Sequence, residues 1–216
     1  MKVLIDNGHG IFPLNTKCSP DVLKGLIDSP YWFREYAWCR EIAAACVSVL
    51  IAQGIDAELL VPEEIDIPLQ ERTRRVNAAC SKYGRNNVCL VSVHNNAAGD
   101  QGRWMTARGW SVYTTRGITE SDILADFLIK EAEKEFLPPL KVRKYIDKYL
   151  ERDYEENFYI LKNTNCPAVL VENFFQDNRE DVLYLKSDKG KGSCIHVLTV
   201  GIENYLKSKG KLIWHG

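Results

Sequence analysis

The sequence carries no excess of charge of either sign: 28 Lys and Arg stand against 29 Asp and Glu, a formal net charge of −1. That absence argues against an electrostatic nucleic-acid binder, which carries a basic face or stripe. No apolar run is long enough to span a bilayer. No charged leader, apolar segment and small-residue cleavage site precede the first apolar run, so a signal peptide is not expected. Cys18, Cys39, Cys46, Cys80, Cys89, Cys166 and Cys194 include no Cys-x-x-Cys and no paired framework. Several sit inside apolar runs where a thiol simply packs, and their odd number points to synthesis in a reducing compartment. Repeats, low-complexity tracts and linkers are also missing. What remains is ordinary globular composition, 45% hydrophobic and 26% charged, over 216 residues. Residues 1–216 are therefore expected to form one domain, large enough to bury a core without disulfides or a structural metal.

Within that frame apolar strands and amphipathic helices alternate. Val3, Leu4 and Ile5 form an apolar run that stops in Asp6-Asn7-Gly8-His9-Gly10, a buried strand ending at a tight turn. Ile11 to Asp28 is irregular and long for a connection, as functional loops often are. Ser29-Pro30 predicts the start of a helix that runs to about Gln53 and is ended by Gly54. Trp38, Cys39, Ile42, Ala45, Cys46 and Val49 recur at helical spacing and form its sheet-facing stripe. Projected back one turn, the stripe reaches Glu35. Spacing leaves open whether Glu35 is buried with a partner or lies exposed in an early turn. Ile55 to Val61 reads as a strand, and Pro68 to Tyr83 as a helix with arginines on its outer face. Val88 to Val93 is a strand buried on both faces that ends in His94-Asn95-Asn96. Trp110 to Thr115 is a strand and Glu120 to Phe136 a helix. The charged segment from Pro138 to Asn163 is hard to read, and Phe158 to Leu161 fits either a short strand or a helical turn. Ala168 to Val171 is another buried strand and runs into Glu172-Asn173-Phe174-Phe175. A last amphipathic helix covers about Gly192 to Lys207. This order predicts an α/β fold with a mostly parallel, mixed sheet of about six strands and helices on both faces.

His9, His94 and Glu172 each follow an apolar strand, at the edge where open α/β sheets place ligands. Parallel neighbouring strands would bring the three together, and the early turns of the first long helix would let Glu35 join them. Two imidazoles and one carboxylate leave one coordination position open on Zn2+, the ligand set of a hydrolytic site. A second, unliganded carboxylate could then move protons. No compact metal motif such as His-Glu-x-x-His supports the choice, which rests on coincidence of position. His196, in the last helix, and His215, in the terminal tail, read as packed or surface residues. Trp104, Trp110 and Tyr113 are candidates for stacking on sugar rings or for core. Asn95 and Asn96 are candidates for orienting the site by hydrogen bonds, and Asp6 for supporting His9 in the same way.

Five separated segments, in this order, carry a resemblance: VLIDNGHG, a glutamate nineteen residues before the glycine that ends its helix, DIPLQERTRRVN, LVSVHNNA, and NCPAVLVENFFQDNREDVLYL. Together they resemble the zinc-dependent N-acetylmuramoyl-L-alanine amidases, over residues 1 to about 185. The resemblance implies that His9, Glu35 and His94 hold zinc and that Glu172 is the catalytic carboxylate. It implies hydrolysis of the amide between N-acetylmuramic acid and L-alanine in peptidoglycan. Leu69, Arg72 and Asn77 match a helix that looks structural in the family. The chain departs from the family pattern at Ile11-Phe12-Pro13, which replace a further glycine and a short loop. Pro62-Glu63-Glu64 stands where a threonine-arginine pair is usual, and Phe174 where a glycine usually follows the catalytic glutamate. A zinc peptidase or deacylase for another amide, and a non-catalytic cell-wall-binding relative, are the competing readings. A monomer is expected, with no nucleic-acid partner. A cell-wall substrate combined with no export signal fits phage-type release through a membrane lesion, a leader removed from the chain, or a non-classical export route.

Overall fold

The first strand, β1 (Lys2–Asn7), is buried along its whole length because it lies in the interior of the sheet with both faces covered. The protein is described from a computed structural model, which covers residues 1–11, 17–99, 102–145 and 152–211. The sheet is completed by β2 (Ala57–Leu59), β3 (Val88–Asn96), β4 (Ser111–Thr114), β5 (Tyr154–Glu155) and β6 (Ala168–Phe175), in the order β2-β1-β3-β6-β4-β5. All neighbours are parallel except β4 and β6, so the sheet is mixed and mostly parallel, as the alternation of elements predicts.

Side chains alternate across it. Val3, Ile5, Cys89, Val91, Val169 and Val171 face the larger core, with α2 (Glu35–Ala52), α4 (Glu120–Glu135), α6 (Arg179–Lys186) and α7 (Asp188–Ser208) packed over them. Leu4, Leu90 and Leu170 face a smaller core closed by α3 (Leu69–Tyr83) and α5 (Tyr159–Lys162). The seven cysteines are free thiols, six of them buried.

Several sequence expectations shift. The first long helix begins at Glu35, not at Ser29-Pro30; the short α1 (Pro20–Leu23) precedes it. Ser29 does not cap it. Its hydroxyl donates to Asp21 and accepts the Tyr31 N–H at 3.0 Å, which makes a local turn. An antiparallel bridge between Cys18 and Arg34 and burial of Phe33 keep the chain extended up to Arg34. The Glu35 N–H, left over at the helix start, donates to the Lys17 carbonyl at 3.1 Å. Ala43 and Leu50, rather than Ala45 and Val49, complete the buried stripe.

The Pro68 helix is placed as expected, but Arg72 is not on its outer face: it is 2% exposed and lies under the end of β1. The strands β3 and β6 run further than their apolar cores, so His94 and Glu172 lie within them. The two-residue β5 and the eight-residue helix α6, capped by the Asn178 side chain, are elements that the sequence reading does not place. Phe158 caps α5, which settles that segment as a helical turn. His196 is exposed on α7; His215, together with Phe12 and Pro13, lies outside the described residues.

Candidate active site

The end of β1 is held from below. The Asp6 carboxylate accepts from Arg72 Nη1 at 2.6 Å and from Ser92 Oγ at 2.6 Å, and Arg72 Nη1 also reaches the Asn7 carbonyl. Arg72 Nε donates to the Ile67 carbonyl, so one buried guanidinium ties α3 and the loop before it to β1. Asp6 therefore supports the strand end and makes no hydrogen bond to His9, contrary to the sequence expectation. Beyond Asn7 the chain turns with His9 in the left-handed region, at φ 63°, a conformation that costs a non-glycine residue energy and aims its ring across the sheet edge. Gly8 is required there: a Cβ on it would lie 2.3 Å from the His94 ring.

His94 on β3 and Glu172 on β6 stand directly opposite in parallel register, on the face that α3 covers. Glu35, the first residue of α2, enters from the other side and is 1% exposed. Its Oε1 lies 3.1 Å from His94 Nδ1 and 3.4 Å from His9 Nε2, and accepts the Asn95 N–H at 3.1 Å. Its Oε2 accepts from Gln176 Nε2 at 2.8 Å. Burial alone would raise the Glu35 pKa, but hydrogen bonds and charge from His9 and His94 outweigh it and hold the carboxyl well below its usual range. Glu172 shows the reverse. Burial, reinforced by the nearby Glu35 carboxylate, raises it to about 8, and its Oε2 is buried without a hydrogen-bond partner among the described residues.

Among the described residues, His9, Glu35 and His94 form the one converging group of three potential metal ligands, their donor atoms all within 4.8 Å of one another. Ligands on one tetrahedral zinc, at 2.0–2.2 Å each, stand roughly 3.3 Å apart. The 3.1 and 3.4 Å separations around Glu35 Oε1 fit that spacing. The imidazoles are 27% and 16% exposed against 2% for Glu35, so the group opens towards solvent on the histidine side. There it meets a cavity of ≈ 420 Å³ whose lining includes Glu172, Lys17, Leu69 and Phe158. A larger depression, ≈ 970 Å³, lies near Arg85, Thr115 and Pro167 at the other end of the strands and touches none of these groups.

A family model described as N-acetylmuramoyl-L-alanine amidase matches residues 3–204. The chain belongs to this amidase family. Among curated proteins, the endolysin of Bacillus phage SPP1 is 26% identical over 212 residues, 97% of this chain and 67% of the endolysin. The amidase adopts the fold of solved relatives. N-acetylmuramoyl-L-alanine amidase from Clostridium difficile 630 superposes with a TM-score of 0.72 at 23% identity, covering 97% of this chain and 98% of that one. Ami1 from Mycobacterium smegmatis superposes with a TM-score of 0.73 at 18% identity, covering 96% and 97%.

The other sequence candidates divide cleanly in this amidase. Trp110 is fully buried core. Trp104 is engaged by Tyr31, by Arg179 at 5.3 Å and through Nε1 by Asp21 at 3.1 Å, so neighbouring side chains hold its ring. Asn95 orients Glu35 through its backbone while its amide donates to the Asn173 carbonyl. Asn96 contributes its carbonyl, which accepts the Gln176 N–H. Gln176 itself was not singled out from sequence; its place four residues after Glu172, inside the family segment, was the available signal. Asn77 clamps the loop before β6, donating to the Asn163 carbonyl and accepting the Asn165 N–H. Phe174, where the family usually has glycine, sits at φ 61° beside a register shift between β3 and β6, its ring packed 5.0 Å from Phe136 and 5.1 Å from Tyr184.

Proposed function

We propose that this amidase is a zinc-dependent hydrolase of the amide between N-acetylmuramic acid and L-alanine in peptidoglycan. His9, Glu35 and His94 hold the metal, and Glu172 is the general base and acid. The observation that carries the reading is one carboxylate oxygen in contact with two imidazoles, with a second carboxylate lining the same cavity, whose Oε2 is buried without a hydrogen-bond partner among the described residues. When bound, zinc supplies Lewis acidity, polarising the scissile carbonyl and making a water acidic.

The chain does the rest. Glu35, held by Asn95 and Gln176, presents a fixed anionic oxygen to the centre. Glu172 stands across from His94 and lines the same cavity, where it is placed to take a proton from water and return it to the leaving amine nitrogen. Leu69 and Phe158 form an apolar part of the cavity wall beside the reacting groups. The phage endolysin relative supports a role as a cell-wall lysin. The test is lytic activity and metal content before and after chelation, with new L-alanine N-termini assayed on released peptides. Loss on chelation and restoration by zinc are expected; activity unaffected by complete metal removal overturns the reading.

A further inference from the structure

The guanidinium of Arg143 is a cation that faces rings rather than carboxylates. It lies 5.0 Å from the Phe175 ring centroid and 5.7 Å from that of Tyr154, and no carboxylate pairs with it among the described residues. The Arg143 N–H donates to the Trp110 carbonyl at 2.7 Å, which fixes its backbone against the start of β4. An aromatic cage of this kind orients a guanidinium without neutralising it, leaving its N–H edge to take a bidentate anion.

Strand register says where that edge lies. In the antiparallel pair β4–β6, Ser111 stands opposite Glu172 and Tyr113 opposite Leu170; in the parallel pair β4–β5, Tyr113 stands beside Tyr154. Paired residues share a face, so Glu172, Ser111, Tyr113 and Tyr154 line one side of the sheet. The Tyr113 phenol feels the charge of Glu172 and also that of Arg143. Between them lie the buried Ser111 hydroxyl, which is engaged by the Tyr113 phenol, and Glu172 Oε2, which is buried without a hydrogen-bond partner among the described residues. A polar track therefore leads from Glu172 across β4 to Arg143.

The reaction gives the track a direction. A general acid must stand beside the leaving nitrogen, so the departing peptide passes Glu172, and the sheet face that Glu172 shares with Ser111 and Tyr113 leads from there towards Arg143. Resting on the amidase reading above, we infer that Arg143 is a specificity-determining residue. It receives a carboxylate borne by the residue that follows L-alanine in the substrate peptide.

The test uses three synthetic N-acetylmuramoyl-L-alanyl substrates that differ only in their second residue: glutamine amide, with no carboxylate; glutamine free acid, with a backbone carboxylate; and glutamate amide, with a side-chain carboxylate. Release of the free amine gives kcat/KM for the wild type, R143M and R143K, with thermal midpoints recorded alongside. At least one carboxylate-bearing substrate is expected to exceed the neutral one about 10- to 100-fold in the wild type, the range of a charge-assisted hydrogen bond. R143M is expected to abolish that preference by slowing only the charged substrate, and R143K to keep part of it. The neutral substrate serves as internal control for folding. Equal rates on all three wild-type substrates, or a preference unchanged in R143M, overturn the inference while leaving the amidase reading intact. If R143M does not fold, a full preference in R143K overturns it and a reduced one supports it. A zinc-loaded wild type that releases no amine from any substrate or from peptidoglycan strikes the amidase reading, and this inference falls with it.

Discussion

Replacing Glu172 with Gln separates proton transfer from metal binding, because the two jobs fall on different side chains. Glutamine has the volume of glutamate, and neither oxygen of Glu172 belongs to the converging ligand group. E172Q is therefore expected to bind zinc as the wild type does. It loses the general base and acid, an effect of about 10²- to 10⁴-fold in kcat, or roughly 3–5.5 kcal/mol of barrier. A second readout comes from the chelated protein. Burial and the Glu35 charge raise Glu172 from 4.5 to about 8 in the folded, metal-free chain. Between those values the folded state holds a proton that the unfolded state has released, so the contribution of Glu172 to stability is full below about pH 4.5 and falls as pH rises towards 8. Glutamine cannot ionise and escapes that loss. Metal-free E172Q should thus match metal-free wild type near pH 4.5 and exceed it above pH 8 by on the order of a few kcal/mol. Bound zinc should shrink the difference, since a neighbouring dication favours the carboxylate. The assays are zinc per chain, release of L-alanine N-termini, and urea unfolding across pH in chelator. A variant that keeps zinc and full activity refutes the role of Glu172, and parallel stability profiles refute the account of its burial.

The remaining expectations follow from neighbouring contacts. Gly8→Ala puts a methyl 2.3 Å from the His94 ring, so zinc affinity should fall while the far-UV circular dichroism spectrum keeps its shape; unchanged affinity would mean the turn yields freely. Gln176→Leu removes the donor to Glu35 Oε2 and should weaken zinc about 10- to 100-fold by competition with a chelator; an unaltered constant would show that Asn95 suffices. Arg72→Met leaves Asp6 buried with one partner and should cost about 3–5 kcal/mol in chemical unfolding. Turnover by the folded fraction should change little, and a large loss of kcat without loss of stability would instead place Arg72 in the chemistry. Phe174→Gly relieves a left-handed backbone worth about 1–2 kcal/mol but removes a fully buried ring worth about 3–5 kcal/mol, so net destabilisation is expected; a higher midpoint would reverse that ranking.

The elements that position the site were legible wherever a local pattern had to satisfy burial on its own. Val3 to Ile5, Val88 to Val93 and Ala168 to Val171 read as buried strands, and each led into a polar group, so His9, His94 and Glu172 were singled out by address. Those patterns also indicated a mostly parallel sheet with helices on both sides. What stayed hidden depends on partners remote in the chain. Glu35 could be exposed or buried by spacing alone, and its burial follows from the extended run to Arg34 and from Gln176, 141 residues away. Arg72 resembled its surface neighbours Arg74 and Arg75 until Asp6, 66 residues earlier, was seen to hold it. The cage around Arg143 joins a poorly patterned segment to two strands, one of them only two residues long. Local sequence thus determined which segments must be buried and which strand ends carry polar groups. Tertiary packing alone decided the charge environment of those groups, because a carboxylate's pKa and partners are set by whatever the fold brings within a few ångströms of it.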